Sequence, residues 1–311
     1  MSTIKVSVPA TTANLGPGFD CIGAALNQYN YFKFSPIETE TPDLTIAITG
    51  KEAARVSSDR TNLVHKSFLK LYQYLGQTPP NVAIDIELGV PLARGLGSSA
   101  TAIVGGLMGG NKLAGEPLSL SEIMELAITI EGHPDNVVPA LLGNCQLSVG
   151  QAGNWQICPI VWHPDIIPVV AIPNFELSTQ EARAVLPTHL SRHDAIFNIA
   201  RLGLLIKALE TGNRDWLIMA LDDRIHQPYR QMLIKGYNSL KKAAMSVGAY
   251  GVVISGAGST VIAFTSSEHA EQVSLAMTNA WMHIGVEAEA LLLSIDLNGT
   301  RVVTLNADGE T

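Results

Sequence analysis

The sequence predicts an α+β protein of two domains, and three observations lead there. The chain has 311 residues, more than one hydrophobic core comfortably serves. Hydrophobic residues make up 47% of it and charged residues 15%, the composition of a well-buried folded protein rather than a disordered one. Along the chain, stretches that alternate apolar and polar residues are interspersed with stretches of helical spacing, without repeats, low-complexity segments or a long linker.

The elements follow in order. IKVSV, residues 4–8, reads as a strand that stops at Pro9, and YNYFKF (29–34) and DLTIAI (43–48) as further strands. Leu63, Val64, Phe68, Leu71 and Leu75 fall on one side of a helix over 62–75. VAIDIEL, 82–88, alternates as a half-buried strand does. PLARGLGSSAT, 91–101, follows as a loop, and AIVGGLMGGNKLAG behind it as a helix lined with small residues. Glycines weaken a helix, so a neighbouring element is expected to approach closely there. Ser119 and Glu122 have capping-box spacing at the head of a helix over 120–131, which Gly132 can end. Strands around 144–149 and 155–161 complete a first domain of about 1–165.

The second domain, about 166–311, opens with an apolar strand between prolines, IIPVVAIP at 166–173. Helical patterns stand at about 194–210, 213–222 and 229–246. The strand YGVVIS leads into a second small-residue turn, SGAGST, and out through VIAFT. A helix at about 267–283 and a hairpin around Asn298-Gly299 close the domain.

Charge and composition narrow the function. The formal charge is −8 and no basic run exists, which argues against a nucleic-acid or anionic-membrane partner. No stretch of about 18 uninterrupted apolar residues would span a bilayer, and the N-terminal segment lacks the apolar core of a secretory leader. Cys21, Cys145 and Cys158 are too few and scattered for a disulfide framework and read as reduced core thiols. A cytoplasmic location and a small-molecule partner are the expectation. His65, His163, His189, His193, His226 and His283 show no metal-ligand spacing and read as structural.

The loop at 91–101 carries the chemistry. Glycine and serine between a strand and a helix can aim several backbone N–H groups at one point, and the helix N-terminus adds partial positive charge, which together make an anion site. The alternative is a plain turn of small residues. The P-loop pattern fails because no Lys follows Gly97. Gly95-Leu96-Gly97-Ser98-Ser99-Ala100 satisfies the dinucleotide fingerprint GxGxxA. The acid expected about 20 residues on, Glu116, falls in a turn and helix cap rather than at a strand end. A dinucleotide-binding oxidoreductase therefore stays as the alternative.

Three motifs in sequence order favour another family. PxxxGLGSSA at the loop, PATTANLGPGFDCIG at 9–23 and VVISGAGSTVIAF at 252–264 together resemble the GHMP kinases over the whole chain. ANLGPGFD, EGHPDN (131–136) and STQEARAVLP (178–187) resemble the homoserine kinases among them. The S-G-x-D segment of a mevalonate kinase is replaced here by GHPDN, and the only Lys of the N-terminal strand, Lys5, precedes the motif.

The resemblance implies an N-terminal domain with a left-handed βαβ crossover and a ferredoxin-like C-terminal domain. It implies ATP with Mg²⁺ as cofactors and L-homoserine as acceptor, phosphorylated on its side-chain hydroxyl to O-phospho-L-homoserine in threonine biosynthesis, and a homodimer as the family expectation. Pro91, Leu92, Ala93, Arg94, Gly95, Leu96, Gly97, Ser98, Ser99, Ala100 and Thr101 would form the ATP loop, although Arg94 also fits a solvated loop residue. Ser99 and Glu131 would hold the metal, with Glu125 as the rival carboxylate, and a solvated helix-end charge is the other reading of Glu131. Asn62 would contact adenine or cap a helix.

On the acceptor side, Arg183 and Arg230 would fork the carboxylate, with Thr179 beside them, unless they form surface ion pairs. Asp20 and Asn14 would take the ammonium, and Asn14 also suits a left-handed turn. Asn136 would meet the acceptor hydroxyl with His133 nearby, which makes Glu131, Asn136 and Ser99 the catalytic set. His133 and Asp135 are the candidates for a general base, although homoserine kinases lack the Asp base of the mevalonate kinases, and His133 also reads as a substrate-pocket residue. The SGAGST turn would shape the phosphate pocket or serve only as a turn.

Overall fold

A computed structural model of the chain describes residues 2–38, 44–151 and 153–305. Two sheets organise it. The first has seven strands: β1 (Thr3–Asn14), β2 (Gly18–Pro36), β3 (Leu44–Thr49), β4 (Val82–Glu87), β5 (Cys145–Gln151), β6 (Asn154–Ile160) and β11 (Arg301–Leu305). The strand path is β11-β1-β2-β4-β3, and β5 and β6 branch from β2. β3 and β4 run parallel, joined by helix α1 (Leu63–Leu75), and the other pairs are antiparallel. The second sheet holds β7 (Ile167–Pro173), β8 (Gly251–Ile254), β9 (Val261–Thr265) and β10 (Ala288–Leu292) in the order β10-β7-β9-β8, antiparallel throughout. Counted along the chain that order is fourth, first, third, second, the expected ferredoxin-like arrangement.

Helices α2 (Ser98–Leu113), α3 (Leu120–Glu131) and α4 (Pro134–Leu142) join α1 in a core with β1, β2 and β4, centred on Phe32, Phe34, Phe68, Ile84 and Leu107. A second core lies between the sheets, where Leu15, Ile22, Leu96, Val170 and Phe264 meet α6 (Arg192–Thr211) and α7 (Arg214–Ala220). A third packs α9 (Tyr237–Ser246) and α10 (Ala270–Met282) on the second sheet around Trp281. No helix among the described residues is long and apolar enough to cross a membrane.

Several expectations hold in detail. Ser119 and Glu122 form the capping box of α3, and Gly132 ends it in the left-handed region. The small residues of α2 are where the sheet approaches: a Cβ on Gly105 would stand 2.4 Å from the Phe32 ring, and one on Gly109 2.2 Å from Phe34.

Others are corrected. β1 runs through Pro9, which sits at a register shift opposite Tyr29, so the missing N–H falls where the ladder is already irregular. α2 begins at Ser98, inside the expected loop. The helix expected at 229–246 is broken by Gly236, at φ 75°, into α8 (Gln227–Arg230), a 3₁₀ turn and α9. α4 and α5 (Thr179–Ala184) are additional helices. The strand expected from Asp43 begins at Leu44, residue 43 lying outside the described residues. No hairpin forms at Asn298-Gly299: β10 pairs with β7 in the second sheet and β11 with β1 in the first. All three cysteines are free, but only Cys145 lies in the core; Cys21 is half-buried and Cys158 exposed.

Candidate active site

A cavity of about 340 Å³ opens between the two sheets. Three segments build its floor. The N-terminal motif turns between β1 and β2 with Asn14 at φ 74°, Leu15 at 44°, Gly16 at 80° and Asp20 at 58°. The Asn14 side chain fixes that turn, its Oδ1 accepting the Asp20 N–H at 2.9 Å and its Nδ2 donating to Gly256 O at 2.8 Å. The phosphate-type loop has Gly95 at φ 75° and Gly97 at 68°. A Cβ on Gly97 would stand 2.0 Å from Thr11 Oγ1, and one on Gly95 2.2 Å from Ser255 O, so both positions require glycine for backbone conformation and for space. The SGAGST turn lies against this loop: Ser255 Oγ donates to Gly95 O at 2.6 Å, and the Thr260 N–H to Arg94 O at 3.2 Å. That turn is thus part of the wall.

Gly97 is the N-cap of α2, and the first intrahelical bond is made by the Thr101 N–H to Gly97 O at 2.9 Å. The N–H groups of Ser98, Ser99 and Ala100 precede it and stand at the positive end of a 16-residue helix. Ser99 Oγ donates to Glu131 Oε2 at 2.8 Å. Behind it, Thr11 Oγ1 donates to Asn136 Oδ1 at 2.8 Å, Asn136 Nδ2 to Asp135 Oδ1 at 3.3 Å, and His133 Nδ1 pairs with Asp135 Oδ1 at 2.7 Å. Burial alone would lower the His133 pKa, but the hydrogen bond and charge of Asp135, with Glu131 near, carry it above its ordinary 6.5.

The opposite wall comes from α5 and α8. Arg183 grips Asp20 with both prongs, Nη1 to Oδ2 at 3.0 Å and Nη2 to Oδ1 at 2.8 Å, and that bond raises the arginine's pKa further. Arg230 is 1% exposed, and its Nε donates to Ala182 O at 3.0 Å and its Nη1 to Gly256 O at 3.0 Å. It makes no salt bridge among the described residues. Burial, then repulsion by Arg183, pushes its pKa down to about 10. A buried guanidinium that faces a cavity and bonds directly to no carboxylate among the described residues is suited to an anion.

Asn14, Asp20, Ala93, Gly95, Gly97, Ser98, Ser99, Glu131, His133, Asn136, Thr179, Arg183 and Arg230 therefore all line one cavity. The remaining candidates face elsewhere. Asn62 caps α1, accepting the N–H groups of Val64 and His65, while its Nδ2 donates to Ser57 O. Leu96, Ala100 and Thr101 are buried in the protein, and Pro91 and Arg94 line a separate cavity. The side chain of Leu92 is not among the residues lining either cavity. Glu125 binds the Gly153 and Trp155 N–H groups at the β5–β6 turn. The sequence reading missed Phe19, whose ring centroid lies 5.0 Å from the Arg230 guanidinium and 5.7 Å from that of Arg183. Its position within NLGPGFD, beside Asp20, was the available signal.

The residues fit a nucleotide and a divalent cation. The glycine cradle cannot accommodate side chains, the α2 N–H groups suit phosphate, and one carboxylate with one hydroxyl suits Mg²⁺, which keeps most of its water and phosphate ligands. No cluster of three or more His, Cys, Asp or Glu that could itself cage a metal exists among the described residues.

Comparison with known proteins identifies the family. Residues 62–144 match the family described as GHMP kinases N terminal domain, and residues 205–283 the one described as GHMP kinases C terminal. The homoserine kinase of Crocosphaera subtropica is 65% identical, over 97% of this chain and 98% of that protein. The homoserine kinase of Trichormus variabilis is 60% identical over 96% and 98%. The crystal structure of homoserine kinase from Cytophaga hutchinsonii superposes with a TM-score of 0.87 at 28% identity, over 97% of each chain. A mevalonate kinase structure, at 13% identity and a TM-score of 0.67, shares the fold. The chain belongs to the GHMP kinases and, within them, to the homoserine kinases.

Proposed function

We infer that the chain transfers the γ-phosphoryl group of ATP to the side-chain hydroxyl of L-homoserine, giving O-phospho-L-homoserine and ADP on the route to threonine. One observation carries this reading: a helix-N-terminal anion cradle and a buried guanidinium free of carboxylate face the same cavity of about 340 Å³.

Gly95, Gly97, Ser98 and Ser99 cradle the phosphates, and Ser99 with Glu131 holds Mg²⁺. When bound, Mg·ATP supplies the phosphoryl group and the cation that neutralises its charge. Arg230, with Arg183, takes the acceptor carboxylate, and Asp20 and Asn14 Oδ1 face its ammonium. The Asp20–Arg183 pair is the arrangement that a zwitterion complements, since its two charges match those of the pair in reverse. Asn136 is held from both sides by Thr11 and Asp135, which fixes its amide toward the acceptor hydroxyl. Phosphoryl transfer depends chiefly on such alignment and charge neutralisation. On this reading the chain divides near residue 165 into a nucleotide-holding part and a second part, residues 301–305 returning to the first.

The test is ADP release from Mg·ATP with L-homoserine, L-serine, L-threonine, mevalonate and galactose. Turnover confined to L-homoserine is expected. Preference for mevalonate or galactose would overturn the roles of Arg183 and Arg230 and keep the kinase.

A further inference from the structure

Arg94 belongs to the phosphate loop yet turns away from the cavity. Its Nη1 donates to Glu52 Oε1 at 2.7 Å and to Leu92 O at 3.3 Å, and its Nε donates to Pro173 O, at the end of β7, at 3.0 Å. Glu52, in the turn after β3, has two further partners. Its Oε2 accepts the Leu92 N–H at 2.7 Å, and its Oε1 also accepts Arg55 Nη1 at 2.7 Å. Arg55 pairs in turn with Glu176. Glu176 lies two residues before Ser178, the N-cap of the helix that carries Arg183. The backbone makes a parallel link, the Leu177 N–H donating to Ala93 O at 3.3 Å. Burial would raise the Glu52 pKa, but Arg94, the Leu92 N–H and Arg55 outweigh it and hold the carboxyl below its ordinary range.

The phosphate loop contains two glycines in the left-handed region, and ahead of α2 only its Leu96 side chain is packed in the core, so fixing the rest of it costs conformational entropy that binding would otherwise bear. A charged carboxylate bridging its backbone and its one cation removes part of that cost beforehand. We propose that Glu52 is a positioning residue that sets the phosphate loop for nucleotide and, through Arg55 and Glu176, couples nucleotide binding to the acceptor helix α5. The proposal rests on the loop being the nucleotide cradle.

The test uses the full chain. It measures the affinity for ADP with and without L-homoserine, together with KM for each substrate and kcat. Glu52→Ala should raise KM for ATP about tenfold, the scale of one hydrogen bond to a charged group, with kcat little changed. Glu52→Gln keeps an acceptor for the Leu92 N–H and should recover part of the loss. Arg55→Ala leaves Glu52, Leu92 and Arg94 joined, so ADP should bind as to the unaltered protein; the Leu177–Ala93 backbone link also remains, so the effect of ADP on L-homoserine affinity should diminish rather than vanish, and linkage requires the reciprocal effect to diminish equally. Folded Glu52→Ala and Glu52→Gln proteins with unchanged KM for ATP would overturn the positioning role. Undiminished coupling in Arg55→Ala would overturn the link. Should Glu52→Ala not fold, Glu52→Gln and Arg55→Ala carry the test. An unaltered protein that binds no ADP would remove the cradle reading itself, a result separate from either.

Discussion

Ser99 Oγ and Glu131 Oε2 lie 2.8 Å apart, joining the first turn of α2 to the last residue of α3. A carboxylate at a helix C-terminus opposes that helix's dipole, and the positive end of α2 beside it offsets this in part; on the proposed function, a cation held with Ser99 would offset the rest. Glu131→Gln keeps the size and the acceptor oxygen but removes the charge. The expected result is a fall in kcat of about two orders of magnitude, with a raised Mg²⁺ requirement and unchanged L-homoserine affinity, read by initial rates against Mg²⁺ concentration.

On the proposed function, Arg230 would distinguish an acceptor with a carboxylate from one without. Arg230→Lys retains charge but loses the planar fork and the donors to Ala182 O and Gly256 O. KM for L-homoserine should rise by the equivalent of about 2–5 kcal/mol, while KM for ATP stays near its original value. Steady-state kinetics with each substrate varied in turn checks this.

Two glycine-to-alanine changes should differ in sign. Alanine favours a helix over glycine by about 1 kcal/mol. At Gly203, in the middle of α6, nothing lies within 4 Å of a new Cβ, so Gly203→Ala should stabilise by about that amount. At Gly109 the Cβ would enter the ring of Phe34, which is fully buried and stacked on Phe68. Overpacking of about 1–3 kcal/mol then exceeds the propensity gain, and Gly109→Ala should destabilise. Urea denaturation of the two variants gives both signs.

Glu52 predicts a pH dependence. Its folded pKa is below the ordinary 4.5, so its contribution to stability is fully present above 4.5 and is lost as the pH falls through the folded value. The stability difference between the unaltered protein and Glu52→Gln should be constant from neutrality down to about pH 5 and shrink below it. Denaturant titrations across that range check the sign.

What the sequence made legible was local. The capping box of α3, the apolar stripe of α1 and the Gly-Ser cradle each lie within a few residues, and the structure keeps them. Helix α4 was illegible because it holds Pro134 and Pro139. Its second proline leaves the Asp135 carbonyl without its usual i+4 donor, and that carbonyl rests against Gly23 of β2, where a Cβ would stand 1.7 Å away. Asn298-Gly299 misled for a related reason. Asp296 Oδ1 accepts both of their N–H groups, at 2.9 and 2.6 Å, which makes a tight local turn, and nothing in the turn states that its two flanking strands belong to different sheets. The orientation of Arg94 depended on Glu52, a residue 42 positions away, and no local pattern reports a partner at that distance.

The pairing of β11 with β1 has a consequence for synthesis. Residues 301–305 close the edge of a sheet whose other strands end at Ile160, so on the ribosome β1 emerges early and waits through the making of the whole second sheet. During that interval its outer backbone groups are unpaired, and an open strand edge is a template for association with other chains. Released chains truncated before residue 301 should therefore aggregate or recruit chaperones more than chains that include residues 301–305.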